Sequence, residues 1–301
     1  MTAAHTTSIY IASPPEGDTG KSTVALGILH RLTAMVPRAG VFRPITRREN
    51  RDYILELLLA HSNAGLTYDE CVGGVTYEQL HADPDAAIAD IVDRYHEVAD
   101  RCDAVVIVGS DYTDVATPTE LSVNARIAAN LGAPPVLLSV RARDRTPAEV
   151  AQVIELCLAE LAAQHAHTAA VVANRADPAQ LEAVARACAD LGGPRVYVLP
   201  EEPLLVAPTV ADLSDAVGGV LVHGDSSLLG REVMGGVLVA GMTAEHCLER
   251  LTEGVAVITP PGDRSDVVLA VTSAHAAEGF PSLSAIILNG GLPLHGRSRN
   301  W

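Results

Sequence analysis

At 301 residues the chain is long enough for two domains of ordinary size, and its net charge of −16 argues against nucleic acids and anionic membranes as partners. Aromatic residues make up only 3% of the sequence, which disfavours a platform for stacking bases. The apolar runs are strand-sized, far short of the roughly 18–20 residues that span a membrane. The amino terminus lacks the basic start and apolar core of a signal peptide. We therefore expect a soluble, cytoplasmic protein, with its five cysteines reduced and mostly buried.

The first two-thirds of the sequence alternates short apolar runs with amphipathic helical patterns. Thr117 and Thr146 each begin a Thr-Pro-x-Glu capping signal, while Asp83 and Asp177 each precede a proline at a helix start. Because strands joined by helices pair in parallel through crossovers, we predict an α/β fold with a doubly wound, mostly parallel sheet. The predicted strands are Ile9–Ala12, Gly40–Ile45, Ala104–Val108, Val136–Val140, Ala169–Ala173 and Val196–Leu199.

An acidic, proline-containing stretch then divides the chain. We predict a first domain at 1–202, a linker at 203–216, a second, smaller α/β domain at 217–291 and an irregular tail at 292–301. The second domain is predicted to contain strands at Gly219–His223, Val255–Thr259 and Ala285–Leu288, and helices at Thr243–Leu251 and Val267–Ala277.

The segment after the first strand has the character of a phosphate-binding loop. In a strand–loop–helix turn of this kind, backbone N–H groups and the helix dipole point at an anion, and Lys21 would pair with the outer phosphates. The full pattern has glycine five positions before Gly20, where this chain has Pro15. Three interpretations stay open: a phosphate site, a structural turn that no longer holds nucleotide, and, for Lys21 itself, a solvated lysine. The candidate binding residues are Gly17, Thr19, Gly20, Lys21, Ser22 and Thr23.

Further motifs give the chain a family resemblance. Val41–Ile45, followed by Asp52, is similar to the second-strand motif of dethiobiotin synthetase-like P-loop proteins, and Val171–Arg175 resembles their later strand. Gly262–Asp266 resembles the DRTGG-type domain. Over residues 7 to 291 the chain resembles the N-terminal part of the long, multi-domain phosphate acetyltransferases of actinobacterial type. The segments most similar to those enzymes are Tyr77–Leu80, Val108–Tyr112 and Glu120–Asn124.

The resemblance implies a nucleotide, ATP or another, bound together with magnesium. Arg43 and Asn174 would join the loop as nucleotide-binding residues, and Ser22 and Asp52 would ligate the metal. The residues themselves leave alternatives open, since Asp52 is also a favourable helix-start carboxylate and Asn174 also suits the end of a strand. Arg43 stands where the synthetases carry a catalytic lysine, and Gly109 where they carry an acid.

The long enzymes convert acetyl-CoA and phosphate to acetyl phosphate and CoA in a C-terminal domain that we expect to be absent here, because only a short tail follows Gly291. The resemblance therefore implies a regulatory and assembly portion, without catalytic residues of its own. It would form a homo-oligomer and bind a nucleotide or another small anionic effector. Two alternatives remain: an ATP-dependent dethiobiotin synthetase-like ligase, which Arg43 and Gly109 disfavour, and a structural module with a degenerate loop, which Pro15 favours.

Overall fold

The computed structural model describes residues 6–46, 51–110, 120–260 and 264–291. The chain divides into two compact units, Met1–Glu201 and Glu202–Trp301. Each unit has its own parallel sheet and its own hydrophobic core.

The first unit is built on a seven-stranded sheet in which every strand pair is parallel. The predicted doubly wound α/β fold is confirmed, and each predicted strand of this unit corresponds to an observed one. The extra strand, β3, has the sequence Val-Gly-Gly-Val, which offers too little apolar side chain to stand out as a strand. The strands are β1 (Thr7–Ala12), β2 (Ala39–Ile45), β3 (Val72–Val75), β4 (Ala104–Val108), β5 (Val136–Arg141), β6 (Thr168–Ala176) and β7 (Arg195–Pro200).

Strand order in this sheet is β3-β2-β4-β1-β5-β6-β7. The chain leaves β1 towards β2 on one side and later crosses to β5 on the other, so the carboxyl end of β1 lies at a topological switch point. In open parallel sheets, ligands bind in the crevice at that point. The loop predicted to hold phosphate begins there.

The helices of the first unit begin at the signals that the sequence carries. Asp83 accepts a hydrogen bond from the Ala86 N–H at the start of α4, and Thr146 forms a capping box with Glu149 at the start of α6. The predicted cap at Thr117 lies outside the described residues. The helices are α1 (Lys21–Thr33), α2 (Tyr53–His61), α3 (Tyr77–Ala82), α4 (Pro84–Ala99), α5 (Glu120–Asn130), α6 (Pro147–Ala163) and α7 (Leu181–Ala189).

Both faces of the large sheet are buried, which explains why its strands are apolar at nearly every position. Tyr10 belongs to the core that contains residues of α4 to α7, whereas its neighbour Ile11 belongs to the core that contains residues of α1 and α2. All five cysteines are buried thiols without a disulfide, as predicted. Among the helices of the described segments, none combines the length and apolarity that crossing a bilayer requires.

The second unit has a three-stranded parallel sheet in the order β10-β9-β8, formed by β8 (Val237–Val239), β9 (Val255–Thr259) and β10 (Leu283–Leu288). Helices α9 (Ala244–Leu248) and α10 (Ser265–His275) contribute Cys247, Val267 and Val271 to its core. Residues 203–216, expected as a linker, include helix α8 (Val210–Ala216), which begins at a capping box formed by Thr209 and Asp212.

One strand prediction in this unit is wrong. Gly219–His223 is not a strand, and its apolar side chains are exposed, Val220 by 84% and Val222 by 73%. The segment forms no ladder, and its apolar side chains are not buried in a core. Val237–Val239, which was not predicted, provides the third strand instead.

Candidate functional site

The loop from Ser13 to Gly20 connects β1 to α1 at the switch point of the large sheet. Gly20 caps α1 in the left-handed conformation, with φ of 71°. A Cβ atom on Gly20 would lie 1.8 Å from Nδ2 of Asn174. Glycine is therefore required here for two reasons, the positive φ and the close approach of the Asn174 carboxamide.

Side chains from strands β5 and β6 form hydrogen bonds to the backbone of this loop. The carbonyl oxygen of Thr19 accepts hydrogen bonds from Ser139 Oγ at 2.8 Å and from Asn174 Nδ2 at 3.2 Å. Ser139 is fully buried and Asn174 nearly so, which makes these bonds part of the interior. Asn174 thus supports the loop itself, and its contact with a nucleotide base stays a prediction.

Lys21, the first residue of α1, is 2% exposed. Its Nζ donates hydrogen bonds to the carbonyl oxygens of Gly109, at 2.5 Å, and Ser110, at 2.7 Å, just beyond the end of β4. The interpretation of Lys21 as a solvated lysine is therefore wrong. Burial of an ammonium group costs free energy unless polar groups solvate it, and carbonyl oxygens are groups that an anion can displace.

Arg43 reaches the same carbonyl from β2. It is 3% exposed, and its Nη1 donates to the Gly109 oxygen at 2.5 Å and to the Val108 oxygen at 3.3 Å. Its Nε donates to Oδ2 of Asp52 at 2.8 Å. Two buried cationic groups, from α1 and β2, therefore converge on one backbone oxygen at the switch point.

Asp52 has a structural task at the start of α2. Its Oδ1 accepts a hydrogen bond from the Leu55 N–H at 3.1 Å, its Oδ2 is paired with Arg43, and its own N–H donates to the Tyr68 hydroxyl. Both carboxylate oxygens are thus engaged. Ser22 is half-buried in the first turn of α1. Each of these oxygens keeps a further lone pair, so magnesium ligation by Ser22 and Asp52 stays a prediction.

Gly109 has no room for a side chain. A Cβ atom there would lie 2.3 Å from Asn124 Oδ1 and 2.9 Å from a ring carbon of Tyr10. The same Asn124 oxygen accepts from the Tyr10 hydroxyl at 2.8 Å and from the Ser110 N–H at 3.0 Å. Burial raises the pKa of Tyr10, so its hydroxyl remains a donor. This network, which sequence reasoning missed, fixes the backbone that Lys21 and Arg43 contact.

A hydrogen-bonded pair formed by the buried Glu120 and the half-buried Tyr77 lies beside Ser110. The Tyr77 hydroxyl donates to Glu120 Oε1 at 2.5 Å and is 2.7 Å from Ser110 Oγ. Burial raises the pKa of Tyr77, and the hydrogen bond to Glu120 raises it further. Tyr77 and Glu120 belong to segments that carry the family resemblance but were not predicted as site residues. Asp111, two residues beyond Gly109 and a possible substitute for the acid that the synthetases carry there, lies outside the described residues.

Ion pairs hold the outer part of the loop. Arg145 donates to both carboxylate oxygens of Glu16, at 3.0 and 2.5 Å. Arg175 pairs with Asp18 at 3.0 Å and with Glu201 at 2.8 Å. Both Asp18 and Arg175 have positive φ, 63° and 60°, which is unusual for residues other than glycine.

The structure therefore brings together some of the predicted site residues and not others. Thr19, Gly20, Lys21, Arg43 and Asn174 meet at the switch point, as their contacts above show. Gly17 and Thr23 are exposed, and no atom lies within 4 Å of a Cβ built on Gly17. Within the described parts of the chain, no group of three or more His, Cys, Asp or Glu side chains is arranged to hold a metal ion.

Comparison with known proteins gives two family matches and several longer relatives. Residues 7–209 match the family described as AAA domain (AAA_26), and residues 212–299 match the DRTGG domain. Proteins named phosphate acetyltransferase from Nitratidesulfovibrio vulgaris and a Synechocystis species are 29% and 30% identical over 298 and 293 residues. These alignments cover 95% and 94% of this chain but 42% of each relative, so the chain spans less than half the relatives' length. The predicted order of a P-loop domain followed by a DRTGG-type domain is confirmed.

Two solved structures of nucleotide complexes show a weaker likeness. The McdA–ATP complex from Cyanothece aligns with a TM-score of 0.41 and 14% identity, covering 73% of this chain and 99% of that one. A nucleotide-binding protein in complex with ADP from Archaeoglobus fulgidus aligns with a TM-score of 0.39 and 14% identity, covering 65% of this chain and 82% of that one. At these scores the likeness carries no argument about a ligand.

Proposed function

Because the chain belongs to the AAA domain family over residues 7–209, we propose that its first unit binds the polyphosphate of a nucleotide at the loop between β1 and α1. ATP is the nucleotide to test first. The bound phosphates would lie at the amino-terminal end of α1, where the first N–H groups of a helix lack intrahelical acceptors and the helix dipole favours an anion.

The observation that carries this proposal is the convergence of Lys21 and Arg43 on the carbonyl oxygen of Gly109. Neutral carbonyl groups are weaker partners for an ammonium and a guanidinium than a phosphate oxygen is. A phosphate that reached the two side chains would give both of them a charged acceptor in addition to this carbonyl oxygen. The left-handed Gly20 and its support from Asn174 keep the loop in shape beside them.

We further propose that the chain serves as a regulatory and assembly portion of a phosphate acetyltransferase. Its relatives carry that name and are more than twice as long, and their alignments run across both of its units. The nucleotide, or another small anion, would be an allosteric effector, and the chain would contribute to a homo-oligomer. The chain itself would make no acetyl phosphate.

The first experiment is a calorimetric titration of Mg–ATP into the whole chain and into Lys21→Ala. We expect saturable heat from the parent and none from the variant, whose folding is checked by circular dichroism and thermal unfolding. Absence of heat from the parent would refute the nucleotide site and favour the alternative of a structural module with a degenerate loop.

Acetyl transfer is tested separately by release of CoA from acetyl-CoA in the presence of phosphate. We expect no release above the rate without protein. Measurable release would contradict the proposal that this chain makes no acetyl phosphate. The ligase alternative gains no support from the structure, because the space at Gly109 is filled by Asn124 and Tyr10 and cannot hold an acidic side chain without movement.

A further inference from the structure

We propose that Arg141 is a further ligand-binding residue of the loop, and that its guanidinium binds the phosphate group that lies nearest the nucleoside. This inference rests on the proposed nucleotide site and adds a contact on the side of β1 away from Lys21 and Arg43. It also gives the ligand a direction across the carboxyl edge of the large sheet.

Arg141 is the last residue of β5, and its backbone is tied to the loop. Its N–H donates to Oε1 of Glu16 at 3.3 Å, and its carbonyl oxygen accepts from Nη1 of Arg145 at 2.7 Å. Because side chains alternate along a strand, Arg141 lies on the same face of β5 as Ser139, whose hydroxyl donates to the carbonyl oxygen of Thr19. The Arg141 side chain therefore leaves the sheet on the face that carries the loop.

The guanidinium of Arg141 has no hydrogen-bond or ion-pair partner among the described residues. Its Nε is buried without an acceptor, although the residue as a whole is half-buried. The two Nη groups are thus the part of the guanidinium that is left to a ligand. A partly buried cation without an acceptor costs free energy, and an anion bound to its fork of N–H groups would offset that cost.

The acidic side chains of the loop are paired with other arginines. Glu16 accepts hydrogen bonds from Arg145 at 3.0 and 2.5 Å, and Asp18 pairs with Arg175 at 3.0 Å. Within the described part of the chain, no carboxylate balances the charge of Arg141. A phosphate held in the loop is a partner of the required sign.

Ser13, where the chain leaves β1 for the loop, has a similar deficit. It is 1% exposed, and its Oγ has no hydrogen-bond partner among the described residues. Strand β1 is paired with β5, the strand that ends at Arg141. Because buried polar groups are paired in the great majority of cases, two exceptions on neighbouring strands indicate that this end of the loop is built to hold a further polar group.

The strand order places Arg141 on the nucleoside side of the loop. Lys21 and Arg43 contact the carbonyl oxygen of Gly109, just beyond β4, and β4 and β5 are the two neighbours of β1. Strands two places apart are separated by about 9–10 Å, so a ligand that engages both sides is extended, as a chain of phosphates is. Asn174, predicted to contact the base, is the Cα partner of Arg141 on β6. The outer phosphates would therefore lie towards β4, the inner phosphate at β5 and the base at β6.

The test is a calorimetric titration of Mg–ATP into the whole chain, into Arg141→Met and into Arg186→Met. Arg186 is an exposed arginine of α7, so its variant loses the same charge at another place. We expect the dissociation constant to rise at least about tenfold in Arg141→Met and less than about twofold in Arg186→Met. Unchanged affinity in Arg141→Met, or an equal loss in both variants, overturns the inference and leaves the proposed site intact. Absence of binding by the parent refutes the proposed site, and the inference with it.

Thermal unfolding without ATP distinguishes ligand binding from a role in stability alone. Because Arg141→Met removes no side-chain hydrogen bond or ion pair of the described residues, we expect its unfolding midpoint to stay within about 4 °C of the parent's or to rise. A midpoint that falls further would show that Arg141 supports the fold, and would overturn the inference.

Titration of ADP, and of ATP into Arg141→Lys, tests which phosphate is bound and how. The inner phosphate is common to ATP and ADP, so Arg141→Met should weaken the two nucleotides by factors that agree within about twofold. Lysine keeps the charge but loses the fork, and we expect a loss of about three- to fivefold for ATP. If Arg141→Met weakens ATP about tenfold and leaves ADP unchanged, the guanidinium contacts the outermost phosphate and the assignment to the inner one is wrong.

Discussion

Two strand-to-helix turns of this protein treat the amino-terminal end of a helix in opposite ways. In the first unit, α1 has no acidic residue in its first turn, and its first residue is the buried Lys21. In the second unit, α10 carries Asp266 at its second position, paired with Arg264 at 3.0 and 3.1 Å. The second helix carries an acidic residue in its own first turn, whereas in our proposal the anion at the first helix is a bound phosphate. A strand–loop–helix turn alone therefore does not make a phosphate site.

The largest effect on this comparison is expected from Gly20→Ala. A Cβ atom at 1.8 Å from Asn174, on a residue with φ of 71°, forces the loop or Asn174 to move. We expect a loss of about 3–4 kcal/mol in the free energy of unfolding, together with loss of ATP binding. Urea unfolding and calorimetry measure the two. Gly17→Ala is the matched control, since Gly17 has open space and should change stability by less than about 1 kcal/mol. Equal effects from both variants would contradict this account.

Ser22→Asp places a carboxylate in the first turn of α1, as Asp266 does in the first turn of α10. Ser22 is the second residue of α1, as Asp266 is of α10. A carboxylate there would compete with the phosphates for Lys21 and the helix dipole, and we expect ATP affinity to fall about a hundredfold, or about 2.7 kcal/mol. Ser22→Asn, of the same size but neutral, should lose much less in the same titration. If the two variants bind ATP equally, charge is not what distinguishes the turns.

Asn124→Ala tests the polar support under the first turn. It removes the oxygen that accepts from the Tyr10 hydroxyl and the Ser110 N–H, both in the interior. We expect a loss of about 2 kcal/mol in the free energy of unfolding, because buried donors are left unpaired. Asn130→Ala, on the exposed side of the same helix, should change it by about 0.5 kcal/mol or less. Chemical denaturation measures both, and similar losses would show that the network does not support the turn.

The smallest effect is expected from Asp266→Asn in the second unit. The hydrogen bond and charge of Arg264 lower the pKa of Asp266, so its stabilising contribution is present above its unfolded-state pKa and is lost as pH falls through the folded-state value. We expect a loss of about 0.5 kcal/mol at neutral pH, since the Asp266 side chain is 57% exposed and the pair is screened by solvent. Unfolding measured from pH 7 towards pH 2 should show the two proteins converge. A difference that grows in acid would refute this assignment.

A pentapeptide that occurs twice shows how far a local sequence pattern can predict secondary structure. The pentapeptide Gly-Gly-Val-Leu-Val occurs at 218–222 and again at 235–239. Only the second copy forms a strand, because Val237, Leu238 and Val239 pair with β9, whereas the first copy has no neighbouring strand. Identical residues took different structures because strand formation depends on a partner that the segment itself does not specify.

In the candidate site, too, some features could be predicted from the local sequence and others could not. The loop and helix were predictable because the signal from Gly17 to Thr23 is contiguous in the sequence. The contacts that define the site join distant residues, such as Gly20 with Asn174 and Arg43 with Gly109. Nothing near Asp52 in the sequence indicates that Arg43 will take its carboxylate. Side-chain pairing across strands is a property of the folded sheet, so it could not be predicted from spacing.

Arg175 gives the loop a path to the end of its unit. It binds Asp18 on the loop and also Glu201, the last residue of the first unit, which Arg143 contacts as well. The four side chains form a chain of ion pairs with alternating charge, in the order Asp18, Arg175, Glu201 and Arg143. Whatever displaces Asp18 alters the partners of Arg175, and through it the balance of charge at Glu201, where the chain passes into its second unit. In our proposal, a phosphate bound in the loop that moved Asp18 would therefore change the salt bridges that reach Glu201.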